Sequence, residues 1–206
     1  VLWIPSTTMM NREPVMVNKG LLLIISGPSG VGKGTVCSAV LAGSSDTVCS
    51  ISATTRKPRP GEIDGESYYF LTREEFLKKR DNGYFLEWAE VFGNYYGTPA
   101  AEVDRFLAAG KNVILEIDTQ GAMKVKSACP HGVSIFILPP SFAELEKRII
   151  DRGTEAPEVR NRRLSCAKAE MELASRYDYS IINDSVEKAA ARILNIISEE
   201  HKKRGC

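Results

Sequence analysis

The chain of 206 residues holds two histidines and five cysteines, and no two cysteines stand in a C-x-x-C pair. Cys37, Cys49, Cys129, Cys166 and Cys206 are odd in number and scattered, which suits reduced thiols in a cytosol and leaves a His/Cys zinc site short of ligands. An excess of one charge is also missing. Against 27 Lys and Arg stand 26 Asp and Glu, so the formal charge of +1 gives no case for nucleic acid as a partner, and any basic site has to be local. No apolar run reaches the roughly 20 residues that cross a bilayer. Residues 1–19 lack the basic start and apolar centre of a secretory signal, and residues 1–18 read as a loose extension ahead of one domain over 19–206. Internal repeats and low-complexity segments are absent. These absences leave a soluble, cytoplasmic, single-domain protein whose 43% hydrophobic content is enough for a proper core.

What is present centres on residues 24–35, Ile-Ile-Ser-Gly-Pro-Ser-Gly-Val-Gly-Lys-Gly-Thr. An apolar run over 21–25 predicts a buried strand, which breaks into a glycine loop, and a helical pattern follows from Thr35. Strand, glycine loop and helix in that order make a phosphate cradle. Glycines let backbone N–H groups turn inward around an anion, and the helix start adds unpaired donors and the positive end of its dipole. The spacing from Gly27 to Lys33 fits the Walker A pattern G-x-x-x-x-G-K, with Gly27, Pro28, Ser29, Gly30, Val31, Gly32, Lys33, Gly34 and Thr35 as the expected ATP-binding residues. Lys33 supplies a mobile positive charge for the outer phosphates. One departure concerns the metal: the place after the lysine, where Ser or Thr usually reaches magnesium, is Gly34, and a hydroxyl follows one position late at Thr35. A direct metal ligand is therefore not expected here, and Thr35 and Glu116 are candidates through water.

Along the chain, strands alternate with helical patterns. Helices are expected at 35–41, 72–80, 102–109, 121–128, 141–152, 158–175 and 186–200, and strands at 48–52, 68–70, 84–91, 94–96, 112–115, 133–138 and 179–182. Thr72 with Glu75, and Ser141 with Glu144, have capping-box spacing. The alternation predicts an α/β fold, a parallel sheet with helices on both faces. Ligands in such sheets lie beyond the carboxyl ends of the strands, where the phosphate loop, Asp118 and Asn183 would all fall. Residues 52–98 interrupt the rhythm as a small mixed α/β insertion, and residues 52–62, Ser-Ala-Thr-Thr-Arg-Lys-Pro-Arg-Pro-Gly-Glu, pack hydroxyls and guanidiniums onto a segment that two prolines keep from becoming helix.

Taken together, residues 26–35, 50–70, Glu87-Trp88-Ala89, Gly93-Asn94-Tyr95-Tyr96-Gly97-Thr98, Glu116-Ile117-Asp118 and Arg152-Gly153-Thr154-Glu155 resemble guanylate kinases, P-loop nucleoside-monophosphate kinases, over about residues 20–200. The resemblance implies transfer of a phosphoryl group from ATP to GMP with Mg²⁺. It also implies a core of residues 19–51, 99–152 and 167–206, a GMP-binding insertion over 52–98 and a helical lid over 153–166. By the same resemblance Ser52, Arg56, Arg59, Tyr68 and Tyr96 would hold the GMP phosphate, and Glu87, Thr98 and Asp118 would meet the base. Lys33 with Arg148, Arg152 and Arg163 would neutralise the transferring group.

Residue chemistry supports these roles independently. Arg56 and Arg59, three apart on a restrained loop, can close two guanidinium forks on one dianion. Guanine offers donors at N1–H and the 2-amino group and an acceptor at O6, so a carboxylate with a hydroxyl is the least that can read it. No N-K-x-D motif is present, which disfavours a GTPase and leaves base recognition to the insertion. Two other readings fit parts of the pattern. A catalytically dead interaction module of the same fold usually has a degraded phosphate loop, which this chain does not. An adenylate-type kinase is hinted at by Gly32-Lys33-Gly34-Thr35 but is opposed by Glu87 and the 52–62 segment.

Overall fold

The computed structural model describes residues 20–91, 93–151 and 157–205, with the backbone alone for residues 151 and 157–163. The extension over 1–18, Arg152, lid residues 153–156 and the side chain of Arg163 lie outside what is described.

Strands β1 (Leu22–Ser26), β2 (Thr47–Cys49), β7 (Asn112–Glu116), β8 (Val133–Leu138) and β9 (Tyr179–Ile182) form one sheet in the order β2-β7-β1-β8-β9. Every pairing in it is parallel. β1 reads as an unbroken apolar run because both its faces are covered. Leu21, Leu23 and Ile25 point into one core with Val36 and Val40 of α1 (Lys33–Ala42) and Ile193 and Ile197 of α7 (Val186–Arg204). Leu22 and Ile24 point into the other with Val103 of α3 (Ala100–Ala108) and Ala122 and Val125 of α4 (Thr119–Ala128). Helices α5 (Phe142–Asp151) and α6 (Pro157–Glu172) complete the first face, through Leu145, Ile149 and Ala167.

A second sheet, in the order β4-β3-β6-β5, is built from β3 (Ala53–Thr54), β4 (Tyr69–Phe70), β5 (Phe85–Val91) and β6 (Asn94–Pro99). It is mixed, since β3 runs parallel to β4 while β6 is antiparallel to both β3 and β5. Helix α2 (Arg73–Asp81) covers it and starts on a complete capping box, in which Thr72 Oγ1 accepts the Glu75 N–H and the Glu75 carboxylate accepts the Thr72 N–H. The core beneath is small. Phe76 is fully buried and stacks on Phe85 and Tyr95 at centroid distances of 4.4 and 5.4 Å.

Several boundaries differ from the sequence reading for identifiable reasons. The strand expected over 48–52 ends at Cys49 because the chain there leaves one sheet and enters the other at Ala53. Helix α4 begins at Thr119, not 121, because the Asp118 carboxylate caps it by accepting the N–H groups of Gln120 and Gly121. The second expected capping box is half formed. Ser141 Oγ accepts the Glu144 N–H, but the Glu144 carboxylate pairs with Arg148. The last helix runs to Arg204, because His201 bonds Asn112 Oδ1 at 2.8 Å and ties the extra turn to β7.

The small sheet rests on one aromatic core, so Phe76→Ala should cost about 3–5 kcal/mol of unfolding free energy. Thermal or urea unfolding checks this, and a loss under about 1 kcal/mol would mean that Phe76 does not hold the second sheet together.

Candidate active site

The carboxyl ends of β1 and β7 and the inner face of the small sheet enclose a cleft of about 480 Å³, inside the ordinary range for small-molecule sites. Its lining joins stretches far apart in sequence: the glycine loop with Lys33 and Thr35; Ser52, Arg56, Arg59, Tyr68 and Tyr96; Glu87; and Glu116 with Asp118. Most of the residues singled out from the sequence therefore share one space.

The glycine loop leaves β1 at Gly27 and enters α1 at Lys33. Gly32, the residue before the helix, has φ 92 in the left-handed region, which a side chain would strain. The Lys33 ammonium donates to the Gly27 carbonyl at 2.7 Å. Burial pulls its pKa below the ordinary lysine value, and the carboxylates of Glu116, Glu170 and Asp118 act against that fall. Pro28 and Val31 shape the loop without facing the cleft. Val31 is fully buried, and its carbonyl accepts the Asn183 side-chain amide at 2.8 Å.

In the arginine-bearing 52–62 segment, Arg56 forms a two-pronged ion pair with Glu62, at 2.9 and 2.8 Å, and lies 5.4 Å above the Tyr68 ring. Glu62 also accepts the Arg59 N–H at 2.7 Å, so one carboxylate sets the course of the whole turn. The Tyr68 and Tyr96 rings meet edge to face at 6.1 Å, which brings both phenols to the same end of the cleft. Burial raises the Tyr68 pKa, keeping the phenol a hydrogen-bond donor at neutral pH.

Glu87 is the buried acid of the site, 6% exposed. Its carboxyl is pushed up to about 7, first by burial and then by Asp118, against the opposing pull of Thr98 and Lys124. Thr98 Oγ1 donates to Glu87 Oε1 at 2.9 Å. Thr98 is itself fully buried and stands behind Glu87, outside the cleft lining. A threonine hydroxyl has one proton, and in this structure it goes to the Glu87 carboxylate. Helix α4 comes so close that a Cβ on Gly121 would lie 2.7 Å from Glu87 Oε2.

The metal question turns on Gly34. A Cβ there would lie 3.5 Å from Glu116 Oε2, so that carboxylate stands beside the place usually taken by the Walker hydroxyl. Burial raises the Glu116 pKa and Lys33 lowers it. Among the described residues no three His, Cys, Asp or Glu side chains are grouped as a metal cage.

Arg148 is fixed by contacts to its own helix, to the loop and to the end of β9. Its guanidinium lies behind the loop, held by Glu144 at 3.1 Å and donating to the carbonyls of Val31 and Asn183 at 3.4 Å each. Residues not singled out from the sequence also enter the site, namely Glu62 through Arg56 and Glu170 and Asn94 through the cleft wall. Glu62 had a readable signal, lying three residues after Arg59 across a Pro-Gly turn. Glu170, on a helix with an unremarkable pattern, had none.

Comparison with known proteins gives a consistent picture. The family model described as guanylate kinase matches residues 19–200. A guanylate kinase of Halalkalibacterium halodurans is 53% identical over 186 residues, 90% of this chain and 91% of that protein. One from Clostridium perfringens is 55% identical over 183 residues, 89% of this chain and 85% of that protein. Among solved structures, the guanylate kinase from Anaplasma phagocytophilum is similar with a TM-score of 0.76 at 40% identity, over 89% of this chain and 87% of that one.

The raised acid gives a signed pH prediction. The folded Glu87 carboxyl, at about 7, holds its proton more tightly than the ordinary carboxyl at 4.5. This group's contribution is therefore full at low pH and lost as pH climbs from about 4.5 to 7. Glu87→Gln should remove that loss, leaving the nucleotide-free variant more stable than the parent at pH 8 by on the order of 3 kcal/mol. Urea unfolding of both proteins at pH 5 and pH 8 measures it, and parallel pH slopes would contradict it.

Proposed function

Because the chain belongs to the guanylate kinase family and moves a phosphoryl group from ATP to GMP, we propose that the cleft divides this work between two ends. The observation that carries the division is the joining of the Lys33 loop, the Arg56–Arg59 clamp and Glu87 around one space.

At the ATP end, the loop N–H groups and Lys33 hold the β and γ phosphates. At the other end Arg56, Arg59, Tyr68, Tyr96 and Ser52 hold the GMP phosphate, with Glu62 keeping the Arg56 fork in place. Glu87 reads the base, accepting from N1–H and the 2-amino group, with Thr98 steadying its carboxylate and Asp118 adding a second acceptor. Those two guanine donors favour the ionised form of Glu87, which burial alone disfavours. Adenine has no donor at either place and would leave the buried Glu87 carboxylate with the Thr98 hydroxyl but without the two guanine donors, a penalty that supports discrimination of roughly 10⁴-fold.

An oxygen of the GMP phosphate attacks the γ phosphorus of ATP. The bond from that phosphorus to the β–γ bridging oxygen breaks, and ADP leaves with the bond's electron pair. Little covalent chemistry falls to the protein; alignment and charge neutralisation do most of the work. Lys33 is the fixed cation in this account. Arg152 and Arg163 are proposed to add charge from the lid, while Arg148, behind the loop, braces it.

Magnesium is proposed as the ATP-bound ion, drawing charge from the phosphates. Hard oxygen donors in Glu116 and Thr35 suit it through water, with no protein cage required. Among the described residues no helix is long and apolar enough to cross a membrane. With the balanced charge and scattered thiols, this supports a cytoplasmic enzyme whose partners are ATP and GMP.

Initial rates with ATP and GMP, dGMP, AMP or UMP in parallel test the base-reading assignment. GMP should lead AMP by roughly 10³-fold or more in kcat/KM, and Glu87→Gln should shrink that ratio to under about tenfold. Equal ratios in parent and variant would remove Glu87 from the reading of the base. Lys33→Ala should lower kcat by about 10²-fold or more, with the unfolding midpoint unchanged. Near-normal turnover would sink the phosphate assignment.

A further inference from the structure

Resting on the phosphate-loop reading above, we propose that Asn183 is a positioning residue for ATP: its side-chain amide fixes the Val31–Gly32 peptide and so aims the Gly32 N–H at the phosphates.

A cradle made of N–H groups has a geometric consequence. In a trans peptide the carbonyl and the following N–H point in opposite directions, so every donor turned into the cradle sends a carbonyl out of its back. On the surface such a carbonyl would meet water. Here the back of the loop is packed into the protein, with Val31 fully buried, and its carbonyl needs a donor from the fold. Asn183 supplies it at 2.8 Å. The other end of the same peptide, Gly32, lines the cleft.

The fit is close on all sides. Asn183 is 4% exposed and follows directly on β9, with its own N–H donating to the Leu138 carbonyl at the end of β8, 2.8 Å away. The amide is thus anchored to two strands of the main sheet before it touches the loop. A Cβ on Gly32 would lie 3.0 Å from the Asn183 amide nitrogen, so the two residues are matched in size. Arg148 also donates to the Val31 carbonyl and spans to the Asn183 carbonyl, both at 3.4 Å. One carbonyl of the loop is therefore gripped from α5 and from the end of β9. The amide is the shorter of the two bonds and the only one from a rigid side chain.

The test is steady-state kinetics of the full chain carrying Asn183→Ala or Asn183→Asp, varying ATP at saturating GMP and GMP at saturating ATP. Aspartate keeps the shape but presents only acceptors to the Val31 carbonyl. The ATP KM should rise about tenfold in the alanine variant and further in the aspartate variant, while the GMP KM stays within about twofold. A merely structural role would raise both KM values together or lower kcat alone, and either result overturns the proposal, as does an unchanged ATP KM in the aspartate variant. If alanine fails to fold, the isosteric aspartate decides alone; if neither folds, the residue is a fold determinant and the proposal is lost. Lys33→Ala, run alongside, separates the two levels. A normal lysine variant would discard the phosphate-loop reading itself, whereas a dead lysine variant beside a normal Asn183→Asp would discard only the role of Asn183.

Discussion

Parallel pairing of β1 between β7 and β8 is the constraint on which the rest of the molecule depends. Parallel strands put all their carboxyl ends on one side, and the side chains and loops that leave them converge there without further arrangement. β1 delivers the phosphate loop, β7 delivers Glu116 and Asp118, and β9, paired outside β8, delivers Asn183. The second sheet adds what the first cannot. Its short strand β3 hands the chain to the arginine turn, and β5 carries Glu87 back towards Asp118. A GMP kinase needs both anions in one place, and the two sheets meet where their charges can be met.

The site holds its ionisable groups in tension. Lys33 is pulled towards neutrality by burial, Glu87 and Glu116 are pushed the same way, and the members of the set partly offset one another. In the roles proposed above, ATP brings negative charge to the lysine and guanine brings donors to Glu87. Both substrates thus favour the charged forms that the folded chain alone disfavours, so part of the binding energy is spent restoring ionisation. Arg56 is treated differently, since Glu62 already satisfies it. That pair fixes the direction of the fork, and in the phosphate-binding role proposed for Arg56 it does so with a carboxylate close by.

Much of this was legible in the residues, because it is local. The loop from Gly27 to Lys33, the capping box at Thr72 and Glu75 and the strand Val133–Leu138 follow from spacing alone. Harder to read were features set by partners far away. The two-residue strand β3 exists only because β4 and β6 flank it. The contact of Arg148 with the Val31 carbonyl, 117 positions earlier, has no local sign in the sequence. The same holds for the bond from the Thr98 hydroxyl to Glu87, directly across the strand pair. Local chemistry named the participants, and packing decided which of them touch.

Gly121 lies outside the cleft lining, yet its missing side chain has a reach beyond its own helix. The carboxylate oxygen of Glu87 occupies the volume that even a methyl group would claim. On the base-reading role proposed for Glu87, an alanine at that position would press on its carboxylate and leave the glycine loop alone, so nucleobase preference and phosphate handling can drift apart through a single small substitution. A search for altered-substrate variants of this enzyme therefore has reason to begin at a residue that contains no chemistry at all.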